Sequence, residues 1–146
     1  MQVEIRPAGR ADVDSITLLE AVSFDSPWRR EFFENELVAP GRYNRVVLDP
    51  AGLFLGYLFS MYILDEMHVN KIAVIEEWRR KGIARALMKD SLRFALDNRI
   101  RQVSLEVRES NQGAVEFYRT LFFDTVYRRN AYYPNGEAAI VMTRVL

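Results

Sequence analysis

Apolar positions along this chain recur at two spacings, helical in some stretches and alternating in others, and the two kinds of stretch take turns. Residues 3–5 read as a short strand, and Val13, Ile16, Leu19 and Val22 then fall at helical spacing within residues 11–22. Ser26-Pro27-Trp28 sets a capping residue before a proline suited to a first helical turn, with Phe32, Phe33 and Leu37 as the apolar side of a short helix that Pro40-Gly41 ends. Residues 43–48 and 53–63 are β-branched and aromatic runs divided by Asp49-Pro50-Ala51-Gly52, which predicts an antiparallel hairpin. A strand over 67–74 leads into a helix over 82–97. There Leu87, Met88, Ser91, Leu92 and Ala95 form a buried side, while Lys81, Arg85, Lys89 and Arg93 follow at intervals of four. A strand over 102–107, a helix over 111–121 and two closing strands over 123–128 and 138–145 complete the pattern.

The elements sum to an α/β (α+β) fold, a mixed but mostly antiparallel central sheet of about seven strands flanked by about four helices. Without repeats or a linker-like stretch, residues 1–146 are expected to form a single domain. The 82–97 helix is a crossover between the 67–74 and 102–107 strands, so those two should be parallel neighbours.

Composition then narrows the chemistry. Lysine plus arginine is 20 and aspartate plus glutamate is 20, so the overall balance gives no case for direct nucleic-acid binding or for an anionic membrane surface. No apolar run suits a signal peptide or a membrane span, and a cytoplasmic location is the expectation. The chain has no cysteine and only one histidine, His68, which removes thiolate metal sites and cysteine nucleophiles. No metal is expected. A serine hydrolase would need a Gly-x-Ser-x-Gly turn that the sequence lacks.

Two local patterns carry chemistry. The segment Arg79-Arg80-Lys81-Gly82-Ile83-Ala84 hands a strand over to a helix, where unpaired N–H groups, the helix dipole and the cations, with Arg85, make an anion cradle fit for a pyrophosphate. Basic residues before a helix are also common on solvated surfaces, and the segment alone does not separate the readings. In the strand over 102–107, Val103, Leu105 and Val107 alternate to one face and leave Ser104, Glu106 and Arg108 on the other. A carboxylate at Glu106 is either catalytic or an ion-pair partner.

Arg79, Gly82 and Ala84 match the acetyl-CoA motif of the GNAT superfamily, which the chain resembles. Ser23-Phe24 with Pro27-Trp28, Ile72-Ala73-Val74, Leu105-Glu106-Val107-Arg108, Ser110-Asn111, Tyr118 and Tyr132-Tyr133-Pro134-Asn135-Gly136-Glu137 narrow the likeness to RimI-type ribosomal-protein alanine N-acetyltransferases, over nearly the whole chain.

This resemblance implies an acetyl-CoA-dependent enzyme acting on a protein N-terminus, possibly that of a ribosomal protein. The backbone of Ile72, Ala73 and Val74 would pair with pantetheine, with the Val74 N–H facing the developing oxyanion. Arg79, Arg80, Lys81, Gly82, Ile83, Ala84 and Arg85 would hold the pyrophosphate, and Asn111 would contact the pantetheine arm. Glu106 would be the general base and Tyr118 the general acid. From the residues themselves, Trp28, Phe32, Tyr132 and Tyr133 either shape the acceptor slot or belong to core and loop packing, and His68 either helps a water chain carry protons away or is a satisfied strand residue. The substrate class agrees with reference acidities, because an α-amine titrates near 7.7 to 8.0 and a lysine amine near 10.4. Small-amine or lysine acetylation, and a CoA-binding module without turnover, remain the alternatives.

Two departures stand out. Phe122 occupies the place of a glycine that the family uses after its tyrosine helix, so the turn there is either strained or differently routed. Gly136-Glu137-Ala138-Ala139 lacks one acidic residue of the usual pattern.

Overall fold

The turn at residues 49–52 closes as its composition requires. Asp49 Oδ1 accepts from the Ala51 and Leu53 N–H groups at 2.9 and 2.8 Å, and Gly52 supplies a φ of 89°. It joins β2 (Arg42–Leu48) to β3 (Phe54–Ile63) as an antiparallel pair in the computed structural model, which describes residues 2–146. With β1 (Glu4–Pro7), β4 (Glu66–Val74), β5 (Gln102–Arg108), β6 (Asp124–Arg129) and β7 (Ala139–Val145), they form one seven-stranded sheet in the order β1-β2-β3-β4-β5-β7-β6. Every pairing is antiparallel except β4 with β5, the crossover pair, which is parallel as expected.

The helices α1 (Val13–Ser23), α2 (Arg30–Val38), α3 (Ile83–Asp97) and α4 (Gln112–Thr120) cover the sheet on two sides. Leu87, Met88 and Leu92 of α3 and Val115 of α4 pack with Met67, Val69, Val74, Val103, Leu105 and Val107 in the larger core. Ile16 and Leu19 of α1 and Phe33 of α2 pack with Val46, Tyr57, Phe59 and Ala73 in the smaller one.

Three local outcomes bear on the site. The short helix begins later than Ser26-Pro27 predicts, at Arg30 with an extended Arg29 as its cap residue. The Trp28 N–H instead donates to Glu20 Oε2 at 2.8 Å, and that bond holds the preceding segment out of helical geometry. In β4, Phe59 faces Lys71 and Ser60 faces Val69, so Asn70 is a bulge without a partner. The bulge resets the alternation: Val69 and Val74 face the larger core, whereas Lys71 and Ala73 turn toward α1. Finally, Phe122 keeps the left-handed turn after α4, at a φ of 66°.

Candidate active site

The sheet is open along one seam. Pairing between β4 and β5 runs from Glu66 with Gln102 to Val69 with Leu105 and stops, although β4 continues to Val74 and β5 to Arg108. Beyond that point each strand keeps only its outer neighbour, Val74 against Gly56 and Arg108 against Ala139. The Ile75 N–H donates to the Leu55 carbonyl on the β3 side at 2.9 Å, so strand alternation turns the Val74 and Ile72 N–H groups into the seam. The Val74 carbonyl is taken by Arg79 Nε at 3.0 Å.

At the end of the seam lies the segment 79–85 that the sequence offers as an anion cradle. Gly82 caps α3 at a φ of 83° with no side-chain cap, and the bond from the Ala86 N–H to the Gly82 carbonyl opens the helix. The N–H groups of Gly82, Ile83, Ala84 and Arg85 therefore precede the helical ladder, and no acidic residue occupies that turn. Arg80 and Lys81 beside them are exposed. Arg79 belongs to the scaffold through Val74, and Arg85 bridges to α4, its Nη2 donating to Thr120 Oγ1 at 2.8 Å.

The seam opens into a cavity of about 600 Å³. Trp28, His68, Ile72, Glu106, Asn111, Tyr118, Tyr132 and Tyr133, scattered over more than 100 positions of sequence, all line it. Glu106 Oε2 stands 2.7 Å from His68 Nε2, and His68 Nδ1 stands 2.7 Å from Asn70 Oδ1. Burial opposes charge on the imidazole, but hydrogen bonding and charge from Glu106 and the bond to Asn70 outweigh burial and the Arg129 charge, so His68 titrates above its ordinary value. Burial likewise raises Glu106, but the His68 bond and charge, with Arg129, more than offset it and leave the carboxyl below its ordinary range. The pair is an ion pair when His68 is protonated, so the catalytic and ion-pair readings of Glu106 meet in one contact.

Tyr118 is 7% exposed, its ring packed edgewise on Phe117 and Phe123. Burial pushes its hydroxyl well above the usual phenol value, and no partner among the described residues takes it. Asn111 caps α4, its Oδ1 accepting from the Ala114 N–H at 3.1 Å, and its amide nitrogen donates to none of the described residues. Tyr133 lies under the Arg108 guanidinium, 4.2 Å from the ring centroid, and Tyr132 stands at right angles to it. Arg108 Nη1 also reaches Glu137 at 3.3 Å, and Glu137 Oε2 accepts from the Ser110 N–H at 2.7 Å, so the 132–137 loop is moored to β5. The position of the missing acidic residue is Ala138, 4% exposed.

Sequence reasoning missed Asn70, Lys71 and Glu20. Asn70 orients His68, and Lys71 pairs at 3.0 Å with Glu20, a carboxylate with no exposed surface. Only the bulge brings Lys71 to that side, and no residue signals a bulge in the sequence. Among the described residues no cluster of three or more metal-ligating side chains is present, and no helix is long and apolar enough to cross a membrane.

Known proteins agree with this architecture. The sequence profile of the acetyltransferase (GNAT) family matches residues 13–123. An N-alpha-acetyltransferase of Saccharolobus solfataricus is 44% identical over 155 aligned positions, covering 97% of this chain and 92% of the relative. The ribosomal protein bS18-alanine N-acetyltransferase of Escherichia coli is 30% identical over 119 positions, with 80% and 79% covered. A crystal structure of that E. coli enzyme superposes with a TM-score of 0.91 at 25% identity, covering 99% of this chain and 94% of the other. A parallel strand pair that separates beside a glycine-capped basic turn, matched over most of its length by these relatives, places the chain in the GNAT acetyltransferase family.

Proposed function

We propose that the chain transfers the acetyl group of acetyl-CoA to the N-terminal α-amine of a protein, a ribosomal protein being the acceptor its RimI-type relatives favour. The observation that carries this reading is the Glu106–His68 pair, set where the seam meets a cavity walled by residues 24–28 and 132–133. The unpaired strand edge at Ile72 and Val74 suits the amide-bearing pantetheine arm, and the N–H groups of residues 82–85, with Arg80 and Lys81, suit its pyrophosphate. Bound there, the cofactor supplies an acyl thioester.

Glu106 accepts the proton of the attacking amine, directly or through water, as the N–C bond forms, and His68 shares that proton across a 2.7 Å contact. The Val74 N–H donates to the thioester oxygen as it gains charge. As the C–S bond breaks, Tyr118, which burial keeps protonated, would give its proton to the departing thiolate and take one back from the water of the cavity it lines. No acyl-enzyme is required.

The test is CoA release with Ala-starting peptides, N-terminally blocked lysine peptides and polyamines, run beside Glu106→Gln. Turnover confined to free N-termini, with kcat/KM in the variant about 10² to 10⁴ lower, is the expected result. Turnover of polyamines or blocked peptides overturns the acceptor assignment, and binding without turnover overturns the enzyme reading.

A further inference from the structure

One wall of the acceptor cavity, residues 24–28, has no regular structure of its own. Two charged groups beside it, Glu20 fully buried and Lys71 largely buried but itself lining the cavity, are not used by the chemistry above. Glu20 of α1 has no exposed surface, yet its carboxylate has three donors. Oε1 accepts from the Tyr57 hydroxyl, and Oε2 accepts from the Trp28 N–H at 2.8 Å and faces Lys71 Nζ at 3.0 Å. Burial and the Glu20 charge push the Tyr57 hydroxyl upward, so it remains a donor. Lys71 Nζ in turn lies 3.8 Å from the Phe24 ring centroid and 5.4 Å from that of Trp28. Both ends of the wall are thus held by one ion pair, seated on α1 and on the bulged part of β4.

A buried ion pair is a poor device for stability alone, since apolar side chains of similar volume generally do as well or better. Its distinctive product is fixed geometry, and here every tie outside the sheet ends on the wall. We propose that Glu20 and Lys71 are positioning residues for the acceptor: they hold residues 24–28 in the binding-competent shape before the acceptor arrives, and so set acceptor affinity separately from acetyl-CoA affinity. This rests on the acceptor cavity assigned above.

The double variant Glu20→Gln/Lys71→Met tests it without stranding a buried charge, since glutamine still offers an acceptor to Trp28 or Tyr57. Its acceptor KM should rise about five- to tenfold, the loss expected when a few wall side chains must be immobilised on binding. The KM for acetyl-CoA should not move, and trypsin should cut at Arg29 and Arg30 faster than in the wild type. Lys71→Arg, which keeps the cation but not its compact shape, should fall between wild type and the double variant in acceptor KM and proteolysis and leave the acetyl-CoA KM unchanged. An unchanged acceptor KM with unchanged proteolysis, or a parallel rise of both KM values, overturns the proposal. Failure of the wild type to acetylate any α-amine would instead remove the acceptor reading, and the trypsin comparison would still decide whether the ion pair holds the wall.

Discussion

His68 is the only histidine in the chain, so a single imidazole signal in an NMR titration reports the state of the acid–base pair. Its midpoint should lie above the ordinary 6.5, and Glu106→Gln, which removes the carboxylate charge and leaves burial opposed only by the Asn70 bond, should lower it. The pair also links pH to stability. With His68 raised, its contribution is complete below about pH 6.5 and fades as pH climbs through the folded-state value. With Glu106 lowered, its contribution is complete above about pH 4.3 and fades as pH falls through the folded-state value. Wild type should therefore exceed Glu106→Gln in stability most clearly between those limits, by chemical denaturation across pH. At this scale the placement of Glu106, though not its role, was legible because strict alternation in β5 left it opposite three buried aliphatic residues. Glu20 was not, because a carboxylate on an amphipathic helix looks solvated until its partners, Tyr57 and Lys71, are brought in from distant strands.

Two left-handed residues make contrasting statements about how elements end. Phe122 is 75% exposed at a φ of 66°, so little burial is at stake in replacing it. Phe122→Gly should gain about 0.5 kcal/mol, relief of left-handed strain exceeding the backbone entropy of glycine. Phe122→Val should lose about 1 kcal/mol, because a β-branched residue tolerates that region least; denaturant midpoints decide both. Gly82 has a φ of 83°, and beyond its own stretch of chain no protein atom lies within 4 Å of where a Cβ would sit, so there is space for a ligand. Gly82→Ala should raise the KM for acetyl-CoA about tenfold, near 1.4 kcal/mol, and leave the acceptor KM in place. The β2–β3 hairpin, the closing β6–β7 pair and the parallel β4–β5 pair followed from periodicity and turn residues, whereas the order of the strands across the sheet comes from the structure. The start of α2 and the β4 bulge did not, since one is set by a tertiary hydrogen bond to Glu20 and the other by pairing with β3. Strict alternation would have put Lys71 beside Val69 in the larger core, on the wrong side of the sheet.

At the scale of the whole molecule, the seam leaves backbone groups of β4 without a strand partner in the middle of a seven-stranded sheet. A ligand that binds there joins the two halves of the sheet. Acetyl-CoA at about 100 times its Kd should add about 2.7 kcal/mol, visible as a rise in Tm of roughly 5 to 10 °C for a chain of 146 residues. No rise would argue that the seam is not the cofactor site. The same seam opens into the chamber of about 600 Å³ proposed above to receive the acceptor. On that proposal donor and acceptor share one volume, and each added methylene on the acyl group would take room from the nucleophile. Longer acyl thioesters would be held well by the cradle and the strand edge yet serve poorly as donors, so the chamber that admits the amine also acts as a ruler for the acyl chain.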